Sequence, residues 1–260
     1  MKKYINTENK FIPILFQLII LFIWQIAIDK WKVPQYILPS PKDIIITLVD
    51  ILPNITNHIY ATIYEALFGF IISILFSLLL AILMDNVKII KKCIYPILVV
   101  SQTVPIIALA PLFIIWFGFG ILPKVIVVVL VCFFPIVISL VDGLESADLD
   151  MVNLLKTMGA SRLQIFTMVK LPSSTVNLFS GLRIAATYSI MGAVIGEWLG
   201  GDKGLGVYMI RAKNSYELDK VFAVIVIIVI LSMTLFGLLY LLQYIFTPWT
   251  RNSINNNKQN

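Results

Sequence analysis

Few side chains in this sequence could do covalent chemistry, and their spacing does not gather them. There is one histidine, His58, and there are two cysteines, Cys93 beside Lys91 and Lys92 and Cys132 inside an apolar run. A single histidine builds no Ser-His-Asp relay, and two thiols at different expected depths form neither a disulfide nor a metal site. The run Gly201-Asp202-Lys203-Gly204-Leu205-Gly206 is too short for a phosphate-binding G-x-x-x-x-G-K-[ST] loop and reads as a turn at a helix end. Acidic residues between positions 142 and 150 suit helix starts better than catalysis. No catalytic residue, metal or cofactor is therefore expected on this chain. What remains is non-covalent chemistry, in which polar groups are held in apolar surroundings.

Ser101, Gln102 and Thr103 are the first such group. They lie inside an apolar run and are followed by Val104-Pro105, a break that frees backbone carbonyls hydrocarbon cannot satisfy. Either a wet pathway or a buried proline kink accounts for them. Arg183 lies about 13 Å into its run, counted from Ser174 at roughly 1.5 Å per residue. Burying its charge there costs on the order of 3 kcal/mol unless it is solvated or paired. It either snorkels to the nearer surface or makes a polar contact at an inner gate. Glu65 and Glu197, near the ends of their runs, pose the same choice.

The elements that position these groups are membrane-crossing helices. Of the 260 residues 59% are hydrophobic and only 13% charged, against roughly 25% charged in soluble domains, and the mean hydropathy is +0.94. The net charge of +6 is dispersed around hydrophobic spans, which points to the membrane surface and away from nucleic acid. Six apolar runs, residues 11–28, 59–84, 94–117, 121–141, 174–199 and 221–246, are read as crossing a hydrocarbon core of roughly 30 Å. The first is longer than the apolar core of about 7 to 15 residues in a signal peptide and lacks a small-x-small cleavage site, so it is kept as a membrane helix. Residues 29–58, with Pro34, Pro39, Pro41 and Pro53, read as an external connection carrying an amphipathic segment at 43–52. The expected division is 1–54 for the tail, first helix and external segment, 55–246 for the transmembrane domain, and 247–260 for a polar tail. In the fifth run Gly181, Ala185, Ser189, Gly192 and Gly196 recur at helical spacing, which favours close packing against a neighbouring helix over a pore wall.

One long polar stretch, residues 142–172, interrupts this greasy chain and must be presented to water. Its halves, 148–158 and 161–169, each show helical spacing of apolar residues around Gly159-Ala160, which predicts two short amphipathic helices about a glycine bend. The glycine is needed either for a positive φ or because no side chain fits. Gly159, Val169, Leu171 and Pro172 match the spacing of the cytoplasmic EAA loop of ABC importer permeases, with Asn153, Leu154 and Leu155 standing where that pattern has Glu-Ala-Ala. VPIIALAPLFIIWFGFG at 104–120 and GLG to LDKVFA at 204–223 resemble the nitrate, sulfonate and taurine branch of that family. IAATYSIMGAVIGEWLGG at 184–201 is similar to permeases for thiamine-precursor pyrimidines.

The resemblance covers most of the chain and implies an all-α, six-span type I permease that forms the pore with a second copy. Leu155, Gly159, Ala160, Ser161, Leu171 and Pro172 would couple it to a separate ATPase, which holds ATP and magnesium, and an external solute-binding protein would deliver substrate. The expected substrate is a thiamine-precursor pyrimidine, with nitrate, sulfonate or taurine as the alternative. Placing both termini in the cytoplasm puts eleven lysines and arginines inside and eight outside, and the EAA-like loop agrees with that orientation in the plasma membrane. A secondary transporter is the rival, but it would call for a midplane ionisable coupling site and often paired repeats, and neither is visible.

Overall fold

The computed structural model describes residues 11–248, so residues 1–10 and all but the first two residues of the expected polar tail at 247–260 lie outside the described residues. In chain order its helices are α1 (Phe11–Trp31), α2 (Pro41–Asn86), α3 (Lys88–Ser101), α4 (Ile106–Phe117), α5 (Ile121–Glu145), α6 (Leu149–Thr157), α7 (Arg162–Ile165), a π-helical turn (Phe166–Lys170), α8 (Leu171–Leu199), α9 (Leu205–Asn214) and α10 (Leu218–Phe246). Five helices are long and apolar enough to cross a membrane, and α3 with α4 makes a sixth when the bent pair is counted as one span.

The second span starts much earlier than the sequence suggests. Ser40 opens α2 with a reciprocal capping box, its hydroxyl accepting from the Asp43 N–H while the Asp43 carboxylate accepts from the Ser40 backbone, and Pro41 stands in the first turn where its missing N–H costs nothing. The helix then runs on through Pro53 for 46 residues, about 69 Å at 1.5 Å per residue. The predicted amphipathic segment at 43–52 is thus the first part of α2, and the expected boundary at residue 54 falls inside a helix. Proline removes one hydrogen bond and kinks a helix, but it need not end one when the flanking turns are packed. Ile51 and Ile55 on either side of Pro53 are buried against α9 and α10, with Leu205, Ala223 and Val224.

At the centre stands α5, with α2 on one side and α8 on the other. Small residues bring both in close. An added Cβ on Gly69 would meet the Val128 side chain at 2.6 Å, and one on Gly181 would meet the Pro135 carbonyl at 2.6 Å. The same holds for Gly192 against Val131 and Gly196 against Lys124, while Ala185 and Ser189 are fully buried. The stripe predicted from 181 to 196 therefore packs on α5. A second stripe on α2, with Ala66, Gly69, Ser73 and Ser77, does the same from the other side; the Ser77 hydroxyl donates to the Phe133 carbonyl at 3.2 Å. The main core joins Phe70, Val128, Ile136, Phe179, Ile190 and Leu239 from four helices. In contrast, α1 buries only Ile28 and leans on the bundle near its end, where the Gln25 side chain accepts from Lys42 N and Trp24 meets Phe222.

The third predicted span is not one helix. It breaks between Ser101 and Ile106, and α3 and α4 diverge by 102°. Pro105 has no N–H and restricts Val104 before it, so the chain turns. The turn meets some of its own polar needs. Thr103 N and Val104 N donate to the carbonyls of Val100 and Ser101, and the Ser101 and Thr103 hydroxyls donate to the carbonyls of Ile97 and Val100 at 2.7 Å each.

Candidate functional site

Polar chemistry gathers at the two ends of the bundle. At the C-terminal end of α5, Asp148 caps α6, its carboxylate accepting from Asp150 N at 2.8 Å. Helix α6 closes in a Schellman turn. Gly159 N donates to the Lys156 carbonyl and Ala160 N to the Leu155 carbonyl, both at 3.0 Å, with Gly159 at φ +81°. No atom lies within 4 Å of a Cβ built on Gly159. Of the two reasons predicted for this glycine, backbone conformation is therefore the operative one. Ser161 then opens the next helix with a second capping box to Gln164. Leu155 and Ala160 close over a small core of Ala147, Val152, Ile165 and Val169.

The second half of this loop departs from expectation. It is no separate short helix, because α7, the π turn and α8 run on without a break and Leu171 and Pro172 lie in the first turn of α8. A π turn accommodates one extra residue where an α-helical start and a membrane span meet. Lys170 in that turn donates to Asp85 at the end of α2 at 2.6 Å, and Lys91 pairs with Glu145. These contacts pin the loop to the bundle. Its outer edge is left apolar and bare: Leu149, Leu154, Met158 and Leu163 are all more than half exposed.

The opposite end, at the start of α5, holds a buried polar network. Lys124 donates to Glu65 Oε1 at 2.7 Å, with both side chains less than one-tenth exposed. Glu197, at 1% exposure, accepts from the Thr62 hydroxyl and from Gly206 N at 2.6 Å each. Leu205 N donates to Thr62, and Gly204 N donates to His58 Nδ1. Glu197 and Thr62 thus satisfy the first two amides of α9, Gly206 N and Leu205 N respectively. The glycine-rich run is the turn at a helix end that its sequence suggested, with Gly204 at φ +130°. His58 and Lys124 carried no such signal in the sequence, because their partners lie 146 and 59 residues away.

The remaining singled-out residues fall between these ends. Arg183 is half-buried on α8, donates to Gln243 on α10 and to Ser180 at 3.2 Å, and lies over the Phe236 ring. These polar contacts within the chain offset part of its burial cost. Ser101 is partly covered, whereas Gln102 and Thr103 are exposed at the α3–α4 bend. Cys132 is buried, its thiol against the Ala185 carbonyl, and Cys93 is exposed. Among the described residues no group of His, Cys, Asp and Glu could hold a metal.

This architecture has known relatives. Residues 73–252 match the family described as binding-protein-dependent transport system inner membrane component. The chain belongs to that family. Relatives of this permease include the formylaminopyrimidine transport permease protein ThiX of Halalkalibacterium halodurans, 38% identical over 92% of this chain and 96% of that one. The riboflavin transport system permease protein RibX of Chloroflexus aurantiacus is 32% identical over 92% and 89%. The putative aliphatic sulfonates transport permease protein SsuC of Bacillus subtilis is 28% identical over 90% and 86%. A crystal structure of an amino acid ABC transporter with histidines shares the fold, with a TM-score of 0.63 at 17% identity over 76% of this chain and 96% of that one. The chain is a multi-pass transport subunit of the ABC importer type, as the EAA-like spacing and the branch resemblance implied.

Proposed function

We propose that this permease imports a thiamine-precursor pyrimidine, driven by a separate ATPase that binds ATP and magnesium, and supplied by a solute-binding protein on the outer face. The 38% identity to a formylaminopyrimidine permease across nearly the whole of both chains carries the choice of substrate. A relative named for aliphatic sulfonates makes a sulfonate the second reading.

The bare apolar edge of α6 and α7 supports seating in an ATPase groove. Such an edge on a small, internally braced loop is a partner surface in water. The proposed orientation puts this loop and both termini in the cytoplasm. A second copy of the chain completes the pore, supported by Gln102 and Thr103: exposed polar groups inside an apolar segment call for protein or water rather than lipid as their neighbour. In operation the ATPase subunits close, the two loops move with them, and α8 carries that motion to the outer end.

Uptake of radiolabelled formylaminopyrimidine in cells expressing the complete transporter tests the substrate. Uptake should depend on the permease and resist excess taurine or an aliphatic sulfonate. Uptake of the sulfonate without uptake of the pyrimidine would establish the second reading.

A further inference from the structure

Beside the buried network at the start of α5, Glu65, Lys124, Phe119, Gly200, Gly201 and Asp202 line a cleft of about 380 Å³, within the size range of small-molecule sites. Its floor contains an unmet acceptor. Glu65 is 5% exposed and Lys124 donates to its Oε1, but its buried Oε2 has no hydrogen-bond partner. Glu197 lies within side-chain hydrogen-bond reach of Glu65 while accepting from Thr62 and Gly206, so a bond between the two carboxyl groups needs a proton on one of them. A donor for Oε2 must therefore come from the cleft or from a proton shared with Glu197. The wall offers a flat surface. Phe119 is 80% exposed, and one edge of its ring lies 2.8 Å from the position a Cβ on Gly200 would take. Gly201 likewise leaves room for the Lys124 ammonium at 2.8 Å. Side chains at these two glycines would fill the cleft's edge.

We infer that this cleft binds a small flat-ring solute carrying an amino or amide N–H, which donates to Glu65 Oε2 while the ring stacks on Phe119. Buried acceptors discriminate strongly between a ligand that supplies the donor and one that lacks it. Aromatic stacking is tolerant of ring type, so specificity rests on the donor. The cleft lies at the end of α5 away from the coupling loop, so it would receive solute before the solute enters the bundle; this step rests on the importer reading above.

The probes are 4-aminopyrimidine and unsubstituted pyrimidine, which differ only in the donor. In purified full-length permease with Cys93→Ser and Lys203→Cys, reaction of the new thiol at the cleft rim with a maleimide reports occupancy. The aminopyrimidine should slow labelling at a concentration at least about tenfold lower than pyrimidine. Phe119→Leu, an exposed change that leaves the fold intact, should weaken protection by both probes about tenfold. Glu65→Met combined with Lys124→Met, which removes the ion pair together, should abolish the preference between them. Equal protection by both probes, or none, would overturn the inference and leave the proton shared between Glu65 and Glu197 as the account of Oε2. Pyrimidine uptake measured beside labelling with Phe119 intact separates the two proposals: normal uptake without any protection sinks the cleft alone, and protection without any uptake sinks the importer substrate alone.

Discussion

Replacing Gly159 with asparagine, alanine and valine separates backbone conformation from space. At φ +81° with no atom within 4 Å of an added Cβ, the cost of a side chain is entirely in the backbone. For an ordinary L residue the left-handed region costs about 1–2 kcal/mol, and strain at a β-branched residue reaches about 3 kcal/mol. Asparagine tolerates this region. The turn between α6 and α7 is closed by two hydrogen bonds and a small apolar core, so the strain has few contacts to set against it. At 1.4 kcal/mol per factor of ten, 1–3 kcal/mol lowers the population of the closed loop by about 5- to 150-fold. Recovery of the proposed ATPase by co-purification, and uptake, should fall in the order glycine, asparagine, alanine, valine. Membrane insertion should be unchanged in all four, because the loop packs outside the main bundle. Wild-type ATPase recovery and uptake with valine would refute the role of this turn in coupling. An asparagine variant as damaged as valine would refute the conformational reasoning and show instead that a partner surface lies against the glycine.

Breaking the buried pair by Lys124→Met alone should lower stability by about 3–5 kcal/mol, with much of it restored when Glu65→Met is added; thermal unfolding in detergent measures both. Gly181→Val, driven against the Pro135 carbonyl and Ser139, should destabilise the bundle by about 1–3 kcal/mol or more in the same assay. Arg183→Ala should impair uptake while leaving insertion and ATPase recovery intact, and Gln243→Ala should do likewise if their contact is what matters; normal uptake by both would reduce the pair to an anchoring role. Cysteines at Ser161 and Lys213 should label only from inside and only from outside, respectively, and the reverse pattern would overturn the orientation.

Periodicity and apolar length made much of this fold legible. The run at 121–141 stands out in the sequence because much of α5 is buried among neighbouring helices, and the stripe from Gly181 to Gly196 announced its packing because close approach admits only small residues. The glycine at 159 announced a turn for a similar reason. Less legible was where helices end. Pro53 and Pro105 are the same residue type in apolar surroundings, yet α2 runs through the first and the chain bends by 102° at the second. What separates them is tertiary: Ile51 and Ile55 are buried around Pro53, whereas the residues around Pro105 are exposed. The network at the start of α5 was invisible because Lys124, counted as a solvent-facing charge, finds Glu65 only when α2 and α5 are packed. Local pattern carries no information about a partner 59 residues away.

The unbroken course from Arg162 to Leu199 gives the subunit a rod of 38 residues, about 57 Å long at 1.5 Å per residue. One of its close seats on α5, at Gly181 against Pro135, comes midway along it, leaving arms of about 28 Å and 27 Å by the same rise. A rod with nearly equal arms trades no force for distance. Tilting it by about 10° around that seat swings each tip by about 5 Å in opposite directions. The tip beyond Gly196 carries Glu197, and with it the start of α9, so under the proposed coupling a displacement at the loop would reach the opposite end of the bundle undiminished and reversed in sense.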